Sequence, residues 1–227
     1  MKMVSINAKP DGRFYGLNPE FDSLVHRIIA LLDKEKLAEL KKDFHTRLRL
    51  TQAHPEKAEL VEDLWDFFYD WCVFDQRNFD ASEGFSPEDK ASWDSLKATN
   101  MRGIFTVQKI AESSVKLKEL YSGNAITIST TSASEFFGIS KGDLVECRIL
   151  SLKTNGKEKD AATLVRRPSY HPLEVHDYIK KKVRQFKKAE DFSTYQTWLW
   201  LVVGMYLKHR IYTHMPIDKI YDDNSRI

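Results

Sequence analysis

Between Phe192 and Leu207 the chain runs for 16 residues without a charge, and its centre, Trp198-Leu-Trp-Leu-Val-Val-Gly-Met-Tyr-Leu207, is apolar on every side when wound as a helix. Such a helix has no face to leave in water. It must be enclosed, either by lipid or by protein on several sides. A bilayer needs about 20 apolar residues, and Lys208, His209 and Arg210 follow at once. The spacing therefore predicts a central helix buried inside a globular protein. Ser193-Thr-Tyr-Gln196 at its front has the pattern of a capping box.

The rest of the chain has the material to surround that helix. Its 227 residues are 42% hydrophobic and 12% aromatic, which excludes wholesale disorder and allows one large domain or two small ones. Lys and Arg number 35 against 33 Asp and Glu, so a histone-like polybasic protein is excluded. The two cysteines, Cys72 and Cys147, cannot build a Cys-only zinc site or a disulfide scaffold. The first residues, Met1-Lys-Met-Val-Ser5, lack the apolar stretch of a secretory signal, and the expected location is cytoplasmic.

Residues 1–100 read as a helical region. Asn18-Pro19 is a start signal, followed by Leu24, Ile28 and Leu31 at helical spacing. Leu37, Leu40, Phe44 and Leu48 mark a second helix. A third starts at His54-Pro55 and carries Leu60, Leu64, Phe67, Trp71 and Phe74. A fourth starts at Ser86-Pro87 with Glu88 and Asp89 in its first turn. Residues 101–168 then alternate in short runs: 103–110, 115–120, 125–130, 144–150 and 162–165. Asn155-Gly156 is a hairpin turn between the last two. Five short strands predict a small antiparallel β-barrel. Residues 169–227 return to helix at His171-Pro172, with a stripe of Leu173, His176, Ile179, Val183 and Phe186, and pack on the rest. The fold class expected is α+β: an N-terminal helical region, a small five-stranded barrel and C-terminal helices.

The order of several stretches resembles a group of uncharacterised bacterial proteins, many of which carry a C-terminal SEC-C zinc motif. The matching stretches are Trp71-Cys-Val-Phe-Asp75, Gly103-Ile-Phe-Thr-Val107, Val115-Lys-Leu-Lys-Glu-Leu-Tyr-Ser-Gly123, Lys141-Gly-Asp-Leu-Val-Glu-Cys-Arg148 and Ser169-Tyr-His-Pro172. Together they span roughly residues 60–185. The resemblance implies a helical–barrel architecture. It carries over no catalytic residue, and the Cys-rich zinc tail is missing, so a metal or adaptor role tied to that tail does not transfer.

Charge is distributed unevenly. His54–Asn100 holds 12 acids and 4 bases, and Lys153–Lys188 holds 4 acids and 11 bases. Six of the nine residues from Lys180 to Lys188 are basic. Lys180, Lys181, Arg184, Lys187 and Lys188, with Arg166 and Arg167 nearby in sequence, form a candidate polyanion-binding set, because clustered cations neutralise phosphates and release counterions. The competing structural readings are a solvated helix face, or a basic helix that faces the acidic third helix internally. Glu59, Asp63, Asp66 and Asp70 are spaced 4, 3 and 4 and share one side of that third helix. They are candidate Mg²⁺ ligands, or simply its wet side. There is no HExxH, CxxC, GxSxG, GxGxxG or P-loop, and no cofactor is expected. The leading expectation is a non-enzymatic binding or adaptor module. The alternative is a nucleic-acid-associated protein using the basic helix, and the third is a metal-dependent enzyme using the acidic face. The partner is a protein or a nucleic acid, with no membrane span.

Overall fold

The computed structural model describes residues 19–50, 63–75, 84–129, 138–152 and 161–225. Four helices come first: α1 (Pro19–Leu31), α2 (Lys34–Arg47), α3 (Asp63–Phe74) and α4 (Pro87–Thr99). Asp33 caps α2 by accepting from the Lys36 N–H at 2.7 Å. Ser86 and Asp89 close a capping box on α4, each side chain accepting from the other's backbone N–H. The start of the third helix at His54-Pro55 lies outside the described residues.

The strands β1 (Asn100–Ala111), β2 (Ser114–Glu119), β3 (Ala125–Ser129), β4 (Leu144–Leu152), β5 (Ala161–Leu164) and β6 (Ser169–His171) form one sheet. Its order is β1-β2-β3-β5-β4-β6, and β1 also pairs with β4, which closes the first five strands into a barrel. The α+β architecture expected from the sequence is present, with two differences. The barrel is mixed, because β5 turns back along β4 and so meets β3 in parallel at Ile128↔Ala162. A short sixth strand, β6, adds to the front of β4. The Asn155-Gly156 turn lies outside the described residues, but its flanking strands pair antiparallel, with Leu150 opposite Thr163.

The barrel is filled by Phe105, Val107, Val115, Leu117, Ile128, Val145, Cys147, Ile149, Ala162 and Leu164. The outward residues of β1 and β4 are buried as well: Arg102, Ile104, Leu144, Glu146, Arg148 and Leu150. The helices cover that wall. After a 3₁₀ turn (Leu173–Val175) come α5 (His176–Lys188), α6 (Phe192–Ile211) and the single turn α7 (Ile217–Ile220). Leu173, which helical spacing places in the buried stripe, is instead 75% exposed, because the helix proper begins only at His176.

Helix α6 is the enclosed helix that its apolarity requires. Trp200, Val203 and Leu207 enter the core of the N-terminal helices. Trp198, Leu199, Val202 and Met205 enter a second core with α5 and the barrel wall. Among the described residues no helix is long and apolar enough to cross a membrane. Its cap is Asp191, whose carboxylate accepts from the Thr194 N–H at 2.9 Å, and not the expected Ser193–Gln196 box. The helix starts one residue before Ser193, and the Gln196 amide instead donates to the Arg102 carbonyl.

Gly204 sits where α6 crosses the end of α2, and a Cβ there would lie 2.1 Å from the Leu48 carbonyl oxygen. Backbone cannot yield as a side-chain tip can, so Gly204→Ala is expected to cost at least the upper end of the about 1–3 kcal/mol typical of overpacking. Urea denaturation of the purified variant measures this. His171 on β6 is buried, with its Nδ1 3.1 Å from the Tyr221 hydroxyl, and burial pushes its pKa down to about 4. The unfolded chain then binds a proton that the folded chain refuses. Stability is therefore expected to be full above about pH 6.5 and to fall as the pH drops towards 4. The loss from this group is of order 3 kcal/mol, and thermal melts of wild type against His171→Phe across that window isolate it.

Candidate functional site

Two clusters of charge dominate the molecule, and the fold separates them. The first is buried between α3, α6 and the β1–β4 wall. Arg102 and Arg148 stand directly opposite each other on β1 and β4. Two like charges at facing strand positions repel, and acids from two sides resolve it. Asp70 of α3 accepts from Arg148 Nε at 2.6 Å and from Arg166 Nε at 2.8 Å. Glu146 of β4 accepts from Arg102 Nε at 2.7 Å and Arg166 Nη2 at 2.6 Å. Asp75, at the end of α3, takes Arg148 Nη2 at 2.6 Å and the Trp200 indole N–H at 3.1 Å. Three cations thus meet three anions.

Each guanidinium also lies over an aromatic ring: Arg102 on Trp200 at 3.4 Å, Arg148 on Phe74 at 4.4 Å, and Arg166 on Phe67 at 4.1 Å. Burial alone would raise the carboxyl pKa values. Arg148 and Arg166 nevertheless hold Asp70 below its ordinary range, and Arg166 and Arg102 do the same for Glu146.

This cluster absorbs residues that the sequence assigned elsewhere. Arg166 is 1% exposed and its guanidinium is fully engaged, so it is not available to a polyanion in solvent. Asp70 is fully buried and does not belong to a wet helix face, and its two oxygens serve two arginines. Asp66 is half-buried, Asp63 lies in α3, and Glu59 is outside the described residues. Among the described residues no group of three or more His, Cys, Asp or Glu gathers to hold a metal ion. Cys72 and Cys147 are buried in separate cores with their thiols pushed up by burial, which leaves them as packing. Asp70→Asn is expected to cost about 3–5 kcal/mol, since it leaves three buried cations to share two anions. Chemical denaturation of the variant at neutral pH checks this.

The second cluster is the outer face of α5. Ile179 and Val183 are buried and Phe186 is partly so, packed on α6 and the barrel. On one flank Tyr178 and Lys182, a turn apart, both hold the Asp223 carboxylate, the tyrosine at 2.6 Å. The third face holds Lys180, Lys181, Arg184, Lys187 and Lys188. At about 100° per residue these five fall within an arc of roughly 120°. Lys181, Arg184, Lys187 and Lys188 are exposed and Lys180 is half-buried. None of the five makes an ion pair or side-chain hydrogen bond among the described residues. Among the described residues no ion pair joins this helix to α3: Asp70 is matched by Arg148 and Arg166, and Lys182 of α5 pairs with Asp223 in the C-terminal segment. Arg167 is exposed but lies between β5 and β6, and its carbonyl accepts from Arg166.

A further basic row escaped sequence reasoning. Lys116 and Lys118 project outward from β2, and Lys109 of β1 lies directly opposite Lys116. The alternation in Val115-Lys-Leu-Lys was the available signal. All three are exposed and without an acidic partner among the described residues. No family model, curated protein or solved structure matches this chain, so the reading of the site rests on its geometry.

Proposed function

We propose that this protein is a non-catalytic binding module that holds a nucleic acid on the basic face of α5. One observation carries the reading. Buried cations in the ionic cluster are matched one for one by acids, whereas five cations on α5 are presented together with none. Packing does not require them, because the residues that dock the helix are Ile179, Val183 and Phe186. A rigid amphipathic helix fixed on a barrel displays its charges without the entropy cost that a floppy basic tail pays on ordering. The like-charged pair Lys109 and Lys116 adds a second site of unrelieved repulsion that a polyanion would relieve.

Architecture supports the reading at a coarser level. In space the strands run β4-β1-β2-β3, with β4 returning by a long connection to lie beside β1, which is a Greek key. Five-stranded Greek-key barrels of the oligonucleotide-binding kind present their second and third strands to ligand, and here β2 carries Lys116 and Lys118. Fold alone does not fix function, so the weight lies on the charges. Two free buried thiols suit a cytoplasmic location. The proposed resemblance to the SEC-C-related bacterial group concerns the helical–barrel architecture and supplies no residue.

The test is affinity for short RNA or DNA strands by fluorescence anisotropy across about 50–200 mM salt. Wild type is expected to bind with a steep salt slope. Replacing Lys180, Arg184 and Lys187 together by Gln should leave the melting curve intact. It should weaken binding and reduce the slope by about 0.7–0.9 for each phosphate that the variant no longer neutralises. No salt-sensitive binding at low ionic strength would overturn the proposal.

A further inference from the structure

The C-terminal end of the basic helix runs into a cluster of rings. Phe186, next to Lys187, packs on Tyr195 with ring centroids 6.2 Å apart and on Trp198 at 5.4 Å. Phe192, on the first turn of α6, lies 6.1 Å from the same Tyr195. From the barrel side, Tyr121 in the β2–β3 turn stacks on Tyr195 at 4.9 Å, with 15° between the planes, and meets Phe192 at 5.3 Å. Tyr195 is held from below: its hydroxyl donates to Glu119 at 2.8 Å and accepts from the Ile104 N–H. Gly103 keeps this possible, because a Cβ there would lie 2.8 Å from the Glu119 carboxylate. Phe192 is tilted against both tyrosines, by 59° and 47°, and stays 54% exposed.

We infer that the strand bound along α5 is single-stranded, and that Phe192, backed by Tyr121 and Tyr195, is the platform on which one of its bases stacks. This rests on the basic-face reading and deepens it. An exposed ring costs hydration free energy, and one propped by two further rings is already fixed in orientation. A base can lie on it with little additional ordering, and stacking accepts any base because every base has a π-face. The last cations and the ring are neighbours along the chain, since only Ala189, Glu190 and Asp191 separate Lys188 at the end of α5 from Phe192 at the start of α6. The charged face covers about 12 Å of helix axis from Lys180 to Lys188 and ends at the turn that leads into Phe192. Two acids stand in the connecting turn. Asp191 is engaged in capping, and the exposed Glu190 repels phosphate. The backbone therefore stays on the α5 side, and a base is what reaches Phe192. A duplex keeps its base faces stacked inside and has nothing to offer such a ring.

Three probes of equal length separate the possibilities: oligo-dT, an abasic strand with the same phosphates, and a duplex. Phe192→Ala is expected to weaken oligo-dT binding roughly ten-fold or more. Its affinity for the abasic strand and the duplex and its salt slope should not change, and its melting temperature should fall only by the few degrees that the lost ring contacts account for. Phe192→Trp should restore oligo-dT binding. If wild type binds oligo-dT and the abasic strand equally and Phe192→Ala changes neither, the stacking inference fails while the basic-face proposal stands. If wild type binds none of the three, both fail. Binding to vesicles containing phosphatidylserine, with none to oligo-dT, would likewise overturn the inference in favour of a lipid surface.

Discussion

Six charges, five of them buried and Asp75 partly so, connect the three parts of this molecule. Arg102, Glu146 and Arg148 come from the barrel wall, Asp70 and Asp75 from α3, and Arg166 from the segment after β5. Withdrawing ions from water costs several kcal/mol each, and the cost is recovered only when every partner is in place. The cluster therefore works as an all-or-none condition. The helical layer cannot dock on the barrel in another register without stranding a charge, whereas a purely apolar interface would tolerate sliding. Trp200 joins the same condition from α6, lying under Arg102 and donating to Asp75.

The cluster also explains why the barrel is exposed on one side and covered on the other. On β2 the outward residues are solvated lysines, in the alternation expected of a sheet with one wet face. On β4 nearly every described residue is buried, inward and outward alike, because helices lie against it. The molecule is a barrel with one clad wall and one open wall. The basic helix lies at the margin of the cladding, with its inner face in the core, one flank holding the C-terminal segment through Asp223, and its outer face free.

This division gives the surface its functional character. Inside, charge is neutralised and rigid; outside, cationic charge is left over on α5 and β2, and an aromatic stack stands where their ends approach. The preorganisation has a traceable cause. Tyr195 is fixed by Glu119 and the backbone of β1, so the rings above it are positioned by the barrel and not by a flexible loop.

Much of this was legible in the residues. The uncharged stretch from Phe192 to Leu207 had to be enclosed, because no face of it could remain in water, and it lies between two cores. The α4 cap, the short alternating strands and the amphipathic α5 follow from local rules that need only a few neighbouring residues. What the sequence could not decide was which charges face inward. Asp70 shares helical spacing with Asp66 and Asp63, and spacing alone assigns them one environment. Arg166 and Arg167 are adjacent and chemically identical, yet one is buried in ion pairs and the other is exposed. The partners that settle these fates lie as far as 96 residues away for Asp70 and Arg166. Tertiary structure alone supplied them, because the sign of a buried charge's free energy depends on its partner's position, and sequence separation carries no information about distance in space.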